Sequence, residues 1–230
     1  EREMQIEAFN SEEYWSIDAL FEVESKETLT SKLFLFDDKK IEKMTIQSEQ
    51  DATNICSTIK DTNFIISSIN SAPKNRNPAP PFMTSTLQQE ASRKLNLGTK
   101  ETMMIAQRLY EEGLITYMRT DGIDMAPEAT KNVRLLIKKM YGNNYSPQSP
   151  RIYKNASKNA QEAHECIRPT DINLIPKNLP KLEKIQSELY KLIWNRTVSS
   201  QMESAKFEAT SIEIMNREKS ICLRASGQVM

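Results

Sequence analysis

The sequence predicts an α+β fold: a mostly helical domain with a helix-turn-helix-like pattern, inserted into a discontinuous β-rich domain. Three observations lead there. Apolar and polar residues alternate near both ends of the chain, over residues 14–23, 28–36 and from Lys206 onward, as in half-buried strands, and residues 64–69 read as a further strand. Between them, residues 84–202 carry apolar side chains at the three- and four-residue spacing of helices. Pro73, Pro78, Pro80 and Pro81 cluster where the first texture gives way to the second. The expected division is 1–78 with 206–230 for the β-rich domain and 79–205 for the helical one.

Taken in order, residues 1–9 read as the tail of a helix, and no capping residue precedes them. Strands are expected over 14–23 and 28–36, followed by a polar turn at Asp37, Asp38, Lys39 and Lys40. Ser48 can cap a helix whose Ala52, Ile55, Cys56 and Ile59 form one apolar stripe. A strand over 64–69 comes next, and then residues 72–81 read as an extended connector that continues neither helix nor sheet. Ser85 is a candidate cap for a helix over 84–95 that ends at Gly98. Thr99 can cap 100–112, with Met103, Met104, Ala106, Leu109 and Tyr110 inward and Gly113 closing the helix. Two packed helices joined by a glycine-bearing turn give the helix-turn-helix pattern. Asp124 and Pro127 open a further helix that runs to Met140 and stops at Gly142. The polar loop 143–159 is of a length more often functional than filler. A long helix over 182–202 buries Leu182, Ile185, Leu189, Leu192 and Ile193, and strands return from Lys206. Met230 falls in mid-strand, so the chain reads as a segment of a longer protein.

Composition excludes several classes. Apolar residues make up 38% and charged residues 27%, and no apolar run approaches the ~20 residues of a membrane helix. A cytoplasmic protein without a membrane partner is expected. Cys56, Cys166 and Cys222 lie far apart and the chain holds a single histidine, which argues against zinc fingers and disulfide scaffolds. Formal net charge is zero but unevenly spread. Residues 1–30 carry nine acids against Arg2 and Lys26, whereas 129–159 hold Lys131, Arg134, Lys138, Lys139, Arg151, Lys154 and Lys158 with no acid. A polyanion would favour the second region, although a solvated helix face followed by a basic loop explains it as well.

The chemistry concentrates in residues 113–121, Gly-Leu-Ile-Thr-Tyr-Met-Arg-Thr-Asp. If the segment is extended, Tyr117 and Arg119 leave the same face. A phenol is a poor nucleophile at its free pKa near ~10 and attacks only when a neighbouring charge or base favours the phenolate. Arg119 can supply that charge and can also grip a phosphate with two parallel hydrogen bonds. Spacing alone favours a plainer reading, a tyrosine packed in a short apolar run beside a solvated arginine.

Four stretches alter that balance. Residues 81–89, Pro-Phe-Met-Thr-Ser-Thr-Leu-Gln-Gln, 106–111, Ala-Gln-Arg-Leu-Tyr-Glu, the 113–121 segment, and 161–170, Gln-Glu-Ala-His-Glu-Cys-Ile-Arg-Pro-Thr, resemble in order and spacing the signatures of bacterial type IA DNA topoisomerases. The resemblance implies that Tyr117 attacks a phosphodiester of single-stranded DNA. A transient 5'-phosphotyrosine link forms, strands pass, negative supercoils relax and the break is religated without ATP. It further implies that Arg119 holds the scissile phosphate and stabilises its transition state, and that His164, Arg168, Thr120, Asp121, Thr84, Ser85 and Gln88 contact DNA. The implied partners are single-stranded and negatively supercoiled DNA, bound by a monomer in the bacterial nucleoid. Mg²⁺ would be held by an acidic cluster in a domain that this sequence lacks, and no metal is assigned here. Asp121, Asp124 and Glu128 read as helix caps or dipole partners instead. By the same resemblance the β-rich domain is a hinge and the helical domain a moving gate, and the segment alone would not relax DNA. Gly122 and Cys166 replace the family's usual serine and alanine, small for small. The alternative is a non-catalytic helix-turn-helix DNA-binding module.

Overall fold

The computed structural model describes residues 2–22, 26–153, 165–179 and 182–230. The chain divides into two compact units, Glu1–Asn75 with Lys206–Met230, and Arg76–Ala205.

The first unit is built on a six-stranded sheet. Its strands are β1 (Asp18–Glu22), β2 (Thr28–Phe36), β3 (Lys39–Lys40), β4 (Phe64–Arg76), β5 (Ala205–Asn216) and β6 (Cys222–Val229), in the order β1-β2-β6-β5-β4 with β3 beside β2. Asp37 and Asp38 sit at φ 48° and 62°, so the two-residue turn matches the twist of the hairpin that places Lys39 opposite Phe36 and Lys40 opposite Leu35. Helix α1 (Arg2–Glu7) precedes the sheet and buries no residue. Helix α2 (Glu49–Lys60) starts where the sequence places its cap, Ser48 Oγ accepting from the Asp51 N–H at 3.1 Å. Ala52 joins Ile17, Leu33, Ile46, Ile214, Ile221 and Leu223 in this unit's core, with Ile55, Cys56 and Ile59 packed against it.

One expectation fails in this unit. Residues 72–76 are not a connector: β4 continues through Pro73 to Arg76. A proline lacks the N–H of a ladder bond, but β4 is the last strand of the sheet and has a partner on one side only.

The second unit is helical: α3 (Thr84–Leu95), α4 (Thr99–Glu111), α5 (Pro127–Tyr141) and α6 (Lys184–Ser200). Ser85 does not cap α3. It lies exposed in the first turn, Met83 holds the N-cap position, and the Met83 N–H donates to Thr86 Oγ1 at 3.1 Å. Asn96, at φ 56°, ends α3 in the left-handed conformation that short polar side chains tolerate, and Gly98, not Thr99, holds the N-cap position of α4, its carbonyl accepting from Thr102 Oγ1 at 2.9 Å. The inward face of α4 is Thr102, Ile105, Ala106 and Leu109, a strict i, i+3, i+4, i+7 row, so Met104 and Tyr110 point outward. Gly142 closes α5 at φ 101°, as its sequence position suggests. α6 fastens the 172–174 segment beneath it: Tyr190 Oη donates to the Leu174 carbonyl at 2.7 Å and Trp194 Nε1 to the Ile172 carbonyl at 2.9 Å. The core joins Phe82, Leu87, Ala91, Leu109, Met118, Ile137, Ile167 and Ile193.

Candidate active site

Two neighbouring segments hold residues 113–122 in place. Gly113, at φ 72°, turns the chain out of α4, and its N–H donates to the Tyr110 carbonyl at 2.8 Å. On one side runs the 166–170 segment. Ile115 bridges Pro169, the Thr116 N–H donates to the Arg168 carbonyl at 2.8 Å, and Thr170 Oγ1 donates to the Gly113 carbonyl at 2.6 Å. Thr116 Oγ1 donates to the Cys166 carbonyl at 2.7 Å and accepts from the Arg168 N–H at 2.9 Å. On the other side stands the start of α3. The Thr84 N–H donates to the Thr120 carbonyl at 2.9 Å, and Thr84 Oγ1 accepts from the Thr120 N–H at 2.9 Å while donating to the Met118 carbonyl at 2.7 Å. Thr120 Oγ1 accepts from the Gly122 N–H at 2.9 Å.

Between these hydroxyl clasps lie Tyr117, Met118 and Arg119. No strand forms here, since Ile115 alone makes a bridge, yet exposure alternates as it would along one. Met118 is fully buried and Thr120 is 8% exposed, whereas Tyr117 is 45% exposed and Arg119 faces solvent. The buried pair therefore turns the phenol and the guanidinium outward together. Among the described residues no hydrogen bond or ion pair engages the Tyr117 hydroxyl or Arg119. The Tyr117 ring packs against Tyr110, with centroids 5.4 Å apart and planes at 69°.

The remaining residues singled out by sequence fall into different settings. Ser85 and Asp121 are exposed and Gln88 is half-buried on α3. Thr84 and Thr120 commit their hydroxyls to backbone groups. Arg168 is committed as well: Nε and Nη2 donate to the two Glu165 oxygens at 2.6 and 2.9 Å, and Nη1 to the Pro169 carbonyl at 2.9 Å. Glu165 Oε1 also accepts from the Ala126 N–H at 2.8 Å, joining this segment to the start of α5. His164 lies outside the described residues. Burial, reinforced by the Glu165 charge, pushes the Cys166 thiol up to about 12.

Sequence reasoning did not single out Thr116, Met118 or Glu165, and it placed Tyr110 in the core. The partners of Thr116 and Met118 lie 34 to 52 residues away, so no local pattern marks those two. The one available signal was that Glu165 belongs to the histidine motif.

The basic region is partly structural. Arg134 donates to the carbonyls of Pro147, Gln148 and Ser149 at 2.6, 3.1 and 3.0 Å, and Arg151 to the Met202 carbonyl and Ser204 Oγ at 2.6 and 2.7 Å. Lys131 and Lys138 are exposed beside these arginines on the wall of a cavity of about 440 Å³. No grouping of three or more metal-ligating side chains occurs among the described residues. Nor is any described helix long and apolar enough to cross a membrane.

The family model for DNA topoisomerase matches residues 1–230. The DNA topoisomerase 1 of Rickettsia bellii is 46% identical over 239 residues, an alignment covering 100% of this chain and 30% of that protein. For the Zymomonas mobilis enzyme of the same name the values are 44%, 100% and 19%. Among solved structures, full-length topoisomerase I from Thermotoga maritima superposes with a TM-score of 0.76 at 30% identity, over 99% of this chain and 36% of that one. The chain belongs to the bacterial type IA DNA topoisomerase family. It spans 30% of the length of the Rickettsia bellii relative. The α+β architecture is that of the solved relative, and a non-catalytic helix-turn-helix module is not favoured.

Proposed function

We propose that Tyr117 is the nucleophile of a DNA topoisomerase I. Its phenolic oxygen attacks a phosphodiester of single-stranded DNA. The Oη–P bond forms as the P–O3' bond breaks, leaving a 5'-phosphotyrosine and a 3'-hydroxyl that takes up a proton. The reverse attack by that hydroxyl reseals the strand. Because one phosphoester replaces another, the bond energy is retained and no ATP is consumed. Arg119 holds the non-bridging oxygens and offsets the charge that develops on phosphorus.

The observation that carries this reading is the exposure of Tyr117 and Arg119 on one buttressed loop, turned outward by buried Met118 and Thr120. Ser85, Gln88 and Asp121 are assigned DNA contacts, with exposed Lys131 and Lys138 adding sequence-independent attraction. Thr84, Thr120 and Arg168 serve the DNA site through the loop they fasten, and His164 is assigned a phosphate contact. The helical unit is the tyrosine-bearing gate and the β-rich unit its hinge, in a monomer acting on negatively supercoiled DNA in the nucleoid. Mg²⁺ belongs to an acidic cluster on another domain of the whole enzyme. The carboxylates described here form no such cluster, and the segment alone does not relax DNA.

The test uses the full-length polypeptide with Mg²⁺ on negatively supercoiled plasmid. Wild type relaxes it and yields a covalent protein–DNA adduct on denaturation, and Tyr117→Phe gives neither. Equal relaxation by Tyr117→Phe would sink the assignment.

A further inference from the structure

We propose that Tyr110 is a positioning residue for Tyr117, its ring fixing the side-chain torsions that aim the phenolic oxygen. The inference rests on the reading of Tyr117 as nucleophile.

The backbone around Tyr117 has little freedom left. Thr116 is tied to Cys166 and Arg168, Thr84 to Met118 and Thr120, and Met118 is fully buried between them. What these bonds leave open is the tyrosine's own side chain. It projects into solvent, and an exposed side chain hops among three staggered χ1 wells. In-line attack needs the oxygen within about 3–3.5 Å of phosphorus in the correct direction, so most of those orientations are unproductive.

Only one ring contact restrains it among the described residues. The Tyr110 ring meets it nearly edge-on, at 5.4 Å and 69°, the arrangement that aromatic quadrupoles favour. Tyr110 is well placed for this. It lies in the last turn of α4, its carbonyl holds the Gly113 N–H, and it is 41% exposed, off the buried row of Thr102, Ile105, Ala106 and Leu109. A side chain so exposed has little part in the core, and its ring contact is with the nucleophile.

Both directions of the reaction pass through the same torsions, so cleavage and religation depend on Tyr110 alike. The expected effect of Tyr110→Ala in the full-length enzyme is a loss of about three- to tenfold in the rate of adduct formation, with a parallel loss in religation. Affinity for a single-stranded oligonucleotide stays unchanged. Tyr110→Leu, which keeps apolar bulk and guards against a folding artefact, shows the same loss, and Tyr110→Phe restores the wild-type rate. A wild-type rate in both Tyr110→Ala and Tyr110→Leu overturns the proposal. So does a loss in Tyr110→Phe equal to that in Tyr110→Ala, which assigns the role to the hydroxyl, or a loss confined to oligonucleotide affinity, which makes Tyr110 a DNA contact. Tyr117→Phe is assayed alongside: adduct formation by that variant removes the nucleophile itself, separating the two readings.

Discussion

Thr84→Val removes a single hydroxyl from the clasp at the start of α3 while nearly conserving shape. In the wild type that oxygen accepts from the Thr120 N–H at 2.9 Å and donates to the Met118 carbonyl at 2.7 Å, with the Thr120 carbonyl at 3.0 Å competing for the same proton. Each hydrogen bond contributes roughly 0.5–1.5 kcal/mol net, and a donor orphaned next to buried Thr120 costs roughly 1–3 kcal/mol. The bond from the Thr84 N–H survives, so the helical unit is expected to lose about 2–4 kcal/mol in total. Thr84→Ser keeps the hydroxyl and should lose less than about 1 kcal/mol, the share of one methyl group. Urea unfolding of the helical unit reads the difference, and hydrogen exchange at the Thr120 and Gly122 amides localises it, since a two-unit chain need not unfold in one step. The rate of DNA adduct formation should fall with it, because the same bonds set the backbone on which Tyr117 and Arg119 stand. Wild-type stability in Thr84→Val, with the Thr120 amide still protected, would refute the clasp.

Glu165→Gln leaves the half-buried Arg168 guanidinium without its paired carboxylate and should destabilise the helical unit by about 1.5–3 kcal/mol, measured by the urea midpoint, whereas Glu188→Gln in an exposed pair should cost under about 1 kcal/mol. Iodoacetamide at mildly alkaline pH should label half-exposed Cys56 and spare Cys166 and Cys222 until the chain unfolds, since both are buried and burial pushes both thiols up; mass spectrometry counts the adducts. Glu90 is held below its ordinary value near 4.5, first by the Lys94 hydrogen bond and then by the charges of Lys94, Arg196 and Arg93, which outweigh its burial. Its folded pKa lies below the unfolded one, so its contribution is present above about pH 4.5 and is lost as pH falls through the folded value. Acid denaturation of Glu90→Gln should show a shallower slope in that window.

What the sequence made legible was whatever rests on local pattern. The Ser48 cap, the α5 stop at Gly142 and the Gly113 turn each need only neighbours a few residues away, and all three stand where their residue types place them. The common face of Tyr117 and Arg119 was also legible, although the period-2 argument reached it by assuming a strand. The loop gets there through the burial of Met118 and Thr120. Contacts closed across long separations left no such trace. Thr84 meets Thr120 and Thr116 meets Arg168 across 36 and 52 residues, and a threonine's hydroxyl looks the same in sequence whether it binds backbone or solvent. Tyr110 was misplaced because hydrophobicity was read as depth. On α4 the polar Thr102 completes the inner row by donating to its own helix, which frees a tyrosine for the surface.

Pro73 gives the last strand of the sheet an uneven character. Ile65, Ile66 and Ile69 are each at least 53% exposed near the start of β4, where the amide protons not directed at β5 are open to pairing with a neighbouring chain. Beyond them Pro73 removes one such proton, and Lys74 and Arg76 add like charges that repel a second copy. Self-association of this unit at high concentration should therefore begin over residues 65–69, and a lysine at Ile66 is the substitution that would quiet it.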